Sequence, residues 1–180
     1  MRYAASVEYE GTNFFGWQRQ SAVISVQEEI ENAISQITQT DIKIHGAGRT
    51  DAGVHALGQV FHFDTDVTRP IKSLTKGVNS FLPNSIRVKW VKIVSDDFHA
   101  RFSATARQYQ YLLNNAPINS SIWSNHCGWT FYELDFTLLK NASKKFEGRH
   151  DFTAFRSSEC QAKSPIRSIK NISVKKFNNF

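Results

Sequence analysis

An alternating N-terminal segment that leads into an amphipathic helix most constrains the fold of this chain. Apolar and polar residues alternate over residues 3–9, the period of a strand with one buried face. Ser25 then opens SVQEEIENAISQI, in which apolar residues recur at helical spacing and Ser25 and Glu28 fit a capping box. We therefore expect a strand followed by a helix as the first structural unit.

The rest of the chain continues this mixture of strand and helix patterns. Strand patterns at 42–45 and 58–65 flank a glycine-rich loop, and a helix is predicted over residues 71–81, before Pro83. A strand follows from Ile86, and its phase slips near Trp90 and Val91, which predicts a β-bulge.

Three further elements are predicted in the second half. Residues 107–113 read as a strand with Arg107, Tyr109 and Tyr111 on one face, and Tyr111 is assigned to the core. A helix is expected over 136–147 with Gly148 as its stop, and a last strand over 171–177. The order predicts an α+β fold of two related halves, residues 1–105 and 106–180, each an antiparallel sheet with helices on one face, with the active cleft between them.

Composition excludes several classes of protein. Hydrophobic residues make up 41% of the 180 residues, enough for a packed core, and no apolar run approaches the roughly 18 residues that span a bilayer. Two cysteines are too few for a disulfide scaffold, which favours a reducing cytosol. The net charge of +6 favours a polyanionic partner.

The segment HGAGRTDAGVHALGQV, residues 45–60, is the strongest candidate for chemistry. It places Arg49, Asp51 and His55 among four glycines, and a loop held by two strands can present a carboxylate in a fixed position. Alternatively, Asp51 bonds its own backbone in a turn and Arg49 is a surface partner. The histidines and cysteines have no short paired metal-ligand spacing and no nucleotide-binding motif is present, so we expect neither a metal nor a cofactor.

GRTDAGVHA resembles the catalytic motif of tRNA pseudouridine synthases of the TruA family, in which the Asp is the essential residue. Four other segments resemble the same family in the same order: YEGTNFFGWQRQ, VQEEIENAI, DDFHARFSATARQYQY and GRHDFTAFRSSECQAKSPIR. The resemblance implies an enzyme that isomerises uridine to pseudouridine at positions 38–40 of the tRNA anticodon stem-loop. It also implies a homodimer that needs no cofactor.

The resemblance implies roles for single residues. Asp51 is the catalytic carboxylate, as nucleophile or as base, and Tyr109 resembles the tyrosine that lies against the target uracil. Arg49 either binds RNA or pairs with Asp51, and His55 either contacts RNA or caps the loop. Arg101 and Arg107 rank first among the basic residues that could contact RNA; the others are Arg19, Arg149, Arg156, Arg167 and the lysines of RVKWVK.

The sequence departs from the family at its end. The family carries an Arg in a later apolar stretch, MVRxIVG-like, which pairs with the catalytic Asp, and no counterpart occurs before Phe180. We therefore expect this to be the N-terminal portion of a longer protein. Two functions stay open, a synthase and an RNA-binding module without catalysis.

Overall fold

In the computed structural model, which describes residues 1–156 and 164–177, the chain has an α+β fold, as predicted. It divides into two compact units, Met1–Leu112 with Ile122–Cys127, and Leu113–Ser121 with Gly128–Phe180. None of the helices in the described ranges is long and apolar enough to cross a bilayer.

The first unit is built on a four-stranded antiparallel sheet. Its strands are β1 (Arg2–Tyr9), β2 (Ile44–Gly46), β3 (Ala56–Asp64) and β4 (Ile86–Val94), in the order β2-β3-β1-β4. The predicted bulge is present, because Ser6 pairs with Trp90 while Val7 pairs with Val88, which leaves Lys89 as the extra residue.

Two helices supply the other layer of the core. Helix α1 (Val26–Thr38) begins at the predicted cap, where the Ser25 hydroxyl accepts a hydrogen bond from the Glu28 N–H at 3.3 Å. Helix α2 (Ile71–Phe81) has the predicted bounds. Apolar side chains of both helices and of the sheet form one cluster, whose fully buried members include Tyr3, Val7, Ile30, Phe61, Leu74 and Ile86.

The second unit holds shorter elements. Strands β5 (Leu113–Asn115) and β6 (Gly128–Thr130) pair in parallel, whereas β7 (Gly148–Asp151) and β8 (Ile166–Ile169) pair antiparallel. Helix α3 (Phe136–Lys144) starts at Asp135, whose carboxylate accepts from the Leu138 N–H, and a 3-10 turn covers Thr153–Phe155. No described residue of this unit is buried.

Three predictions for residues 107–113 and 171–177 were wrong. The strand over 107–113 is absent except for Leu113, and the strand over 171–177 is absent. Tyr111 is not a core residue, since 82% of it is exposed. Alternation predicts which side chains share a face, but a strand also needs a neighbour to satisfy its backbone groups, and no described segment pairs with residues 107–112 or 171–177.

Helix α3 ends three residues before the predicted Glu147. The N–H groups of Lys145, Phe146 and Glu147 bond to carbonyls three residues back, so the helix tightens into turns before Gly148, whose φ is +95°. Asp151, the last residue of β7, accepts two hydrogen bonds from Thr153. These bonds also hold the pKa of Asp151 below its ordinary value.

Candidate active site

The loop that carries Asp51 joins the antiparallel strands β2 and β3. Hydrogen bonds close its base, since the Ala47 N–H donates to the Val60 carbonyl at 2.7 Å and the Gln59 amide donates to the Gly48 carbonyl at 2.7 Å. Asp51 therefore lies in a loop whose two ends are held together by paired strands.

A second segment, residues 11–17, fastens the loop from its other side. The Trp17 N–H donates to the Thr50 carbonyl at 3.0 Å, and the Gly53 N–H donates to the Phe14 carbonyl at 3.2 Å. The hydroxyls of Tyr9 and Thr50 lie 2.8 Å apart. Thr50, immediately before Asp51, and Gly53, two residues after it, are thus tied to the sheet or to this segment.

Two glycines permit this close approach. A Cβ on Gly16, whose φ is +92°, would lie 2.6 Å from the Thr50 carbonyl oxygen, and a Cβ on Gly11 would collide with the Val54 carbonyl. In the sequence, YEGTNFFGWQRQ is marked only by its resemblance to the family, which implies no role for it. The two glycines and the tryptophan of this segment are the sequence features that could have indicated this packing, and Trp17 is buried in the structure.

The Asp51 side chain is exposed. Its carboxylate makes no hydrogen bond or ion pair with any residue that the structure describes, whereas its backbone carbonyl accepts from the Val54 N–H at 3.2 Å. The turn is therefore held by the main chain, and both carboxylate oxygens are open to a ligand. An open groove, lined by Thr12–Phe15, Ala52 and Gly53, includes the two residues that follow Asp51. Phe15, which has no distinguishing signal in the sequence, lines this groove and is 59% exposed.

His55 caps the loop at its other end. Its Nδ1 accepts a hydrogen bond from the Gly11 N–H at 3.0 Å, and its Nε2 lies 2.8 Å from the carbonyl oxygen of Asn125. Because that oxygen only accepts, Nε2 carries the proton in the neutral ring. Of the two roles considered, these bonds favour the cap.

Arg107 lies at the base of the same loop. Its guanidinium donates two hydrogen bonds to the Ala47 carbonyl, at 3.2 and 2.5 Å, and one to the Arg101 carbonyl at 3.2 Å. The Arg101 guanidinium lies 5.8 Å from the centre of the Phe102 ring. Arg49 is exposed two residues before Asp51, and Tyr109 is 80% exposed.

Several of the other predicted RNA-binding cations have structural partners. Arg19 binds Glu28 and the buried Glu31, and the hydrogen bond to Glu31 raises the pKa of Arg19. Lys89 pairs with Glu8 at 3.2 Å, and the Lys92 ammonium lies 5.2 Å from the centre of the Trp90 indole.

Glu10, His55 and His126 form a group that can hold a metal ion. They come from three distant parts of the sequence, so no short paired spacing marks them there. Of the two cysteines, Cys127 is free, and Cys160 lies outside the described residues.

Residues 5–103 and 142–180 match the tRNA pseudouridine synthase family. The chain belongs to this family. A tRNA pseudouridine synthase A from Pseudoalteromonas atlantica is 48% identical over 180 residues, which are 100% of this chain and 68% of the relative. The same enzyme from Colwellia psychrerythraea is 49% identical over 174 residues, 97% of this chain and 67% of the relative. That from Haemophilus ducreyi is 45% identical over 180 residues, 100% and 69%. This family membership confirms the resemblance on which the residue roles were based.

Proposed function

We propose that this protein converts uridine to pseudouridine in tRNA, with Asp51 as the catalytic carboxylate. The observation that carries the proposal is an exposed carboxylate, without a partner among the described residues, on a loop whose main chain is tied on both sides. Family membership supplies the reaction.

The reaction is an isomerisation, so it needs no oxidant and no water. The bond between the ribose C1′ and uracil N1 breaks, the base turns, C5 bonds to C1′, and the C5 proton leaves while N1 takes up a proton. Asp51 assists either by attacking the sugar or by removing a proton, and both roles need a carboxylate held at a fixed point. The two hydrogen bonds at Thr50 and Gly53 provide that fixation.

A uridine stacked in an RNA arm must leave the stack to reach Asp51. In this proposal Arg49 either binds an RNA phosphate or fills the position in the stack that the base leaves. A guanidinium suits both roles, because it stacks on bases and forms paired hydrogen bonds with phosphate. Tyr109 is assigned to stacking on the uracil, and its exposure supports this role. Arg101 also contacts RNA in this proposal, whereas the bonds from Arg107 to Ala47 favour a role in positioning the loop. His55 supports substrate binding only indirectly, because it caps the loop that carries Asp51.

The substrate in this proposal is the anticodon arm of tRNA, at positions 38–40, and the active form is a cytoplasmic homodimer that uses no cofactor. The chain spans about two thirds of the length of the relatives it matches. A module that binds tRNA without turnover is the second candidate.

Release of tritium from tRNA labelled at uridine C5 tests the proposal directly. We expect turnover by the wild-type chain and a loss of roughly 10³-fold or more in Asp51→Asn, because removal of a residue that acts on the reacting atoms has effects of this size. Binding of tRNA, measured by filter retention, should change little. Asp66→Asn, at another exposed Asp of the same unit, is the matched control and should release tritium like the wild type.

Each alternative has its own result. If Asp51→Asn keeps its turnover, the assignment of the catalytic carboxylate is wrong. If the wild-type chain binds tRNA and releases no tritium over many hours, the binding module is the correct function for this chain.

A further inference from the structure

Three potential metal ligands converge where the Asp51 loop ends. Glu10 follows strand β1, His55 precedes strand β3, and His126 belongs to the segment 122–127 of the same compact unit. One nitrogen of each imidazole and one carboxylate oxygen lie within 4.8 Å of one another. Glu10 and His55 are half-buried, and His126 is exposed.

The hydrogen bonds of His55 fix which nitrogen is available. With its Nε2–H donated to the Asn125 carbonyl, the lone pair is on Nδ1, which lies 3.6 Å from Glu10 Oε1. An imidazole that binds a metal usually donates its other N–H to a carbonyl or carboxylate, which orients the ring. His55 is therefore held with its Nδ1 lone pair, which accepts from the Gly11 N–H at 3.0 Å, beside the carboxylate of Glu10.

The second imidazole lies on the same side. The rings of His55 and His126 have centroids 4.9 Å apart, and a hydrogen bond of 2.9 Å from the His126 N–H to the Trp123 carbonyl holds its backbone in a turn. Around a tetrahedral zinc ion with bonds of about 2.1 Å, donor atoms are roughly 3.4 Å apart. The donor atoms, which lie within 4.8 Å of one another, therefore reach this separation if the exposed side chain of His126 moves by little more than an ångström.

We propose that Glu10, His55 and His126 form a zinc site. Two imidazoles and one carboxylate are a donor set that zinc takes in proteins, usually with water in the fourth position, whereas calcium and magnesium prefer oxygen ligands throughout. The bound ion fastens segment 122–127 to the end of the loop that carries Asp51. The site does not rest on the proposed function, because no step of the uridine reaction uses it.

Binding exchanges one contact for another. The Gly11 N–H now donates to Nδ1 of His55 at 3.0 Å, and the ion takes over that lone pair. Glu10 already accepts hydrogen bonds from the Thr12 N–H and hydroxyl, so its carboxylate is oriented before the ion arrives.

Titration of the metal-free full chain with zinc chloride, followed by calorimetry, tests the site. We expect one equivalent to bind and its affinity to fall at least tenfold in both His126→Ala and Glu10→Gln, the size of effect that loss of a ligand or its support produces. Substitution with Co²⁺ gives a second measurement, since a tetrahedral site with nitrogen ligands gives intense visible absorption, and this band should be absent from His126→Ala. His126 is exposed, so this variant should fold.

His45→Ala is the matched control. His45 is an exposed histidine of the same unit that belongs to a different group of rings, with His62 and His99. It should bind zinc and cobalt like the wild type. Wild-type affinity for zinc in His126→Ala and Glu10→Gln would overturn the proposal, as would failure of the wild-type chain to bind either ion.

Discussion

Gly16 lies where segment 11–17 passes the backbone of the Asp51 loop. Its φ is +92°, and an added Cβ would lie 2.6 Å from the Thr50 carbonyl oxygen and 3.2 Å from the Asp51 carbonyl carbon. Both are backbone atoms, so no side-chain rotation relieves the clash. We predict that Gly16→Ala lowers the free energy of unfolding in urea by about 3 kcal/mol or more. Tritium release should also fall roughly 100-fold, because the loop must shift.

Gly53→Ala separates the clash from the backbone strain. Gly53 has a similar φ of +77°, but an added Cβ would meet no atom within 4 Å. Its cost should therefore be only the strain of the left-handed conformation, about 1–2 kcal/mol. Equal losses of stability in the two variants would show that the contact with Thr50 and Asp51 contributes nothing.

At the scale of single residues, the sequence predicts the residues of the candidate site better than the distant contacts that hold its loop in place. The spacing of Arg49, Asp51 and His55 within one loop is visible in the sequence. The contact of that loop with Gly16 joins segments some 35 residues apart, and no local pattern encodes it. The contact between His126 and His55 likewise joins distant segments, and no local sequence pattern predicts it.

At the scale of elements, the Glu31 carboxylate connects helix α1 to strand β2 and to Arg19 in the segment that precedes α1. Glu31 is 2% exposed on α1, and it accepts hydrogen bonds from Arg19 at 3.0 Å, Gln27 at 2.9 Å and the Ile44 N–H, where β2 begins, at 3.1 Å. We predict that Glu31→Gln lowers the free energy of unfolding by about 2–4 kcal/mol, because an amide removes the charge and directs donors at donors. Urea unfolding measures the loss.

Glu29→Gln provides the comparison on the same helix. Glu29 is half-buried, and none of the described residues forms a hydrogen bond or ion pair with its carboxylate. The change should stay within about 0.5 kcal/mol, as for most substitutions away from such contacts. A Glu31→Gln protein as stable as Glu29→Gln would contradict the role of Glu31 in connecting α1 to β2.

Where prolines that start or stop a helix flank it in the sequence, both its type and its bounds were predicted correctly. Helix α2 has Pro70 before it and Pro83 after it, and the predicted and observed bounds agree. Residues 107–112 have an equally regular alternation and form no strand, because pairing depends on another segment that the pattern cannot specify. Strand β8 was missed because Ile166–Ile169 has no alternation and is defined only by its pairing with β7.

At the scale of the whole molecule, the face of the sheet away from the helices contains a buried histidine. His62 on β3 is 2% exposed, and its Nδ1 accepts a hydrogen bond from the Ala100 N–H at 3.2 Å. Its ring packs against the rings of His45, His99 and Phe98. Burial, followed by the charges of His99, His45 and Arg2, lowers the pKa of His62 to about 4, with Asp64 acting in the opposite direction.

This lowered pKa makes global stability depend on pH. The unfolded chain protonates His62 near its ordinary pKa of 6.5, whereas the folded chain resists protonation until about pH 4. The stabilising contribution is therefore complete above about pH 6.5 and is lost as the pH falls toward 4. We predict that the wild type loses roughly 1–3 kcal/mol more than His62→Gln between pH 7 and 4.5, measured by urea unfolding at each pH. His150→Gln, at an exposed histidine, should keep the wild-type profile, and parallel profiles for wild type and His62→Gln would contradict the prediction.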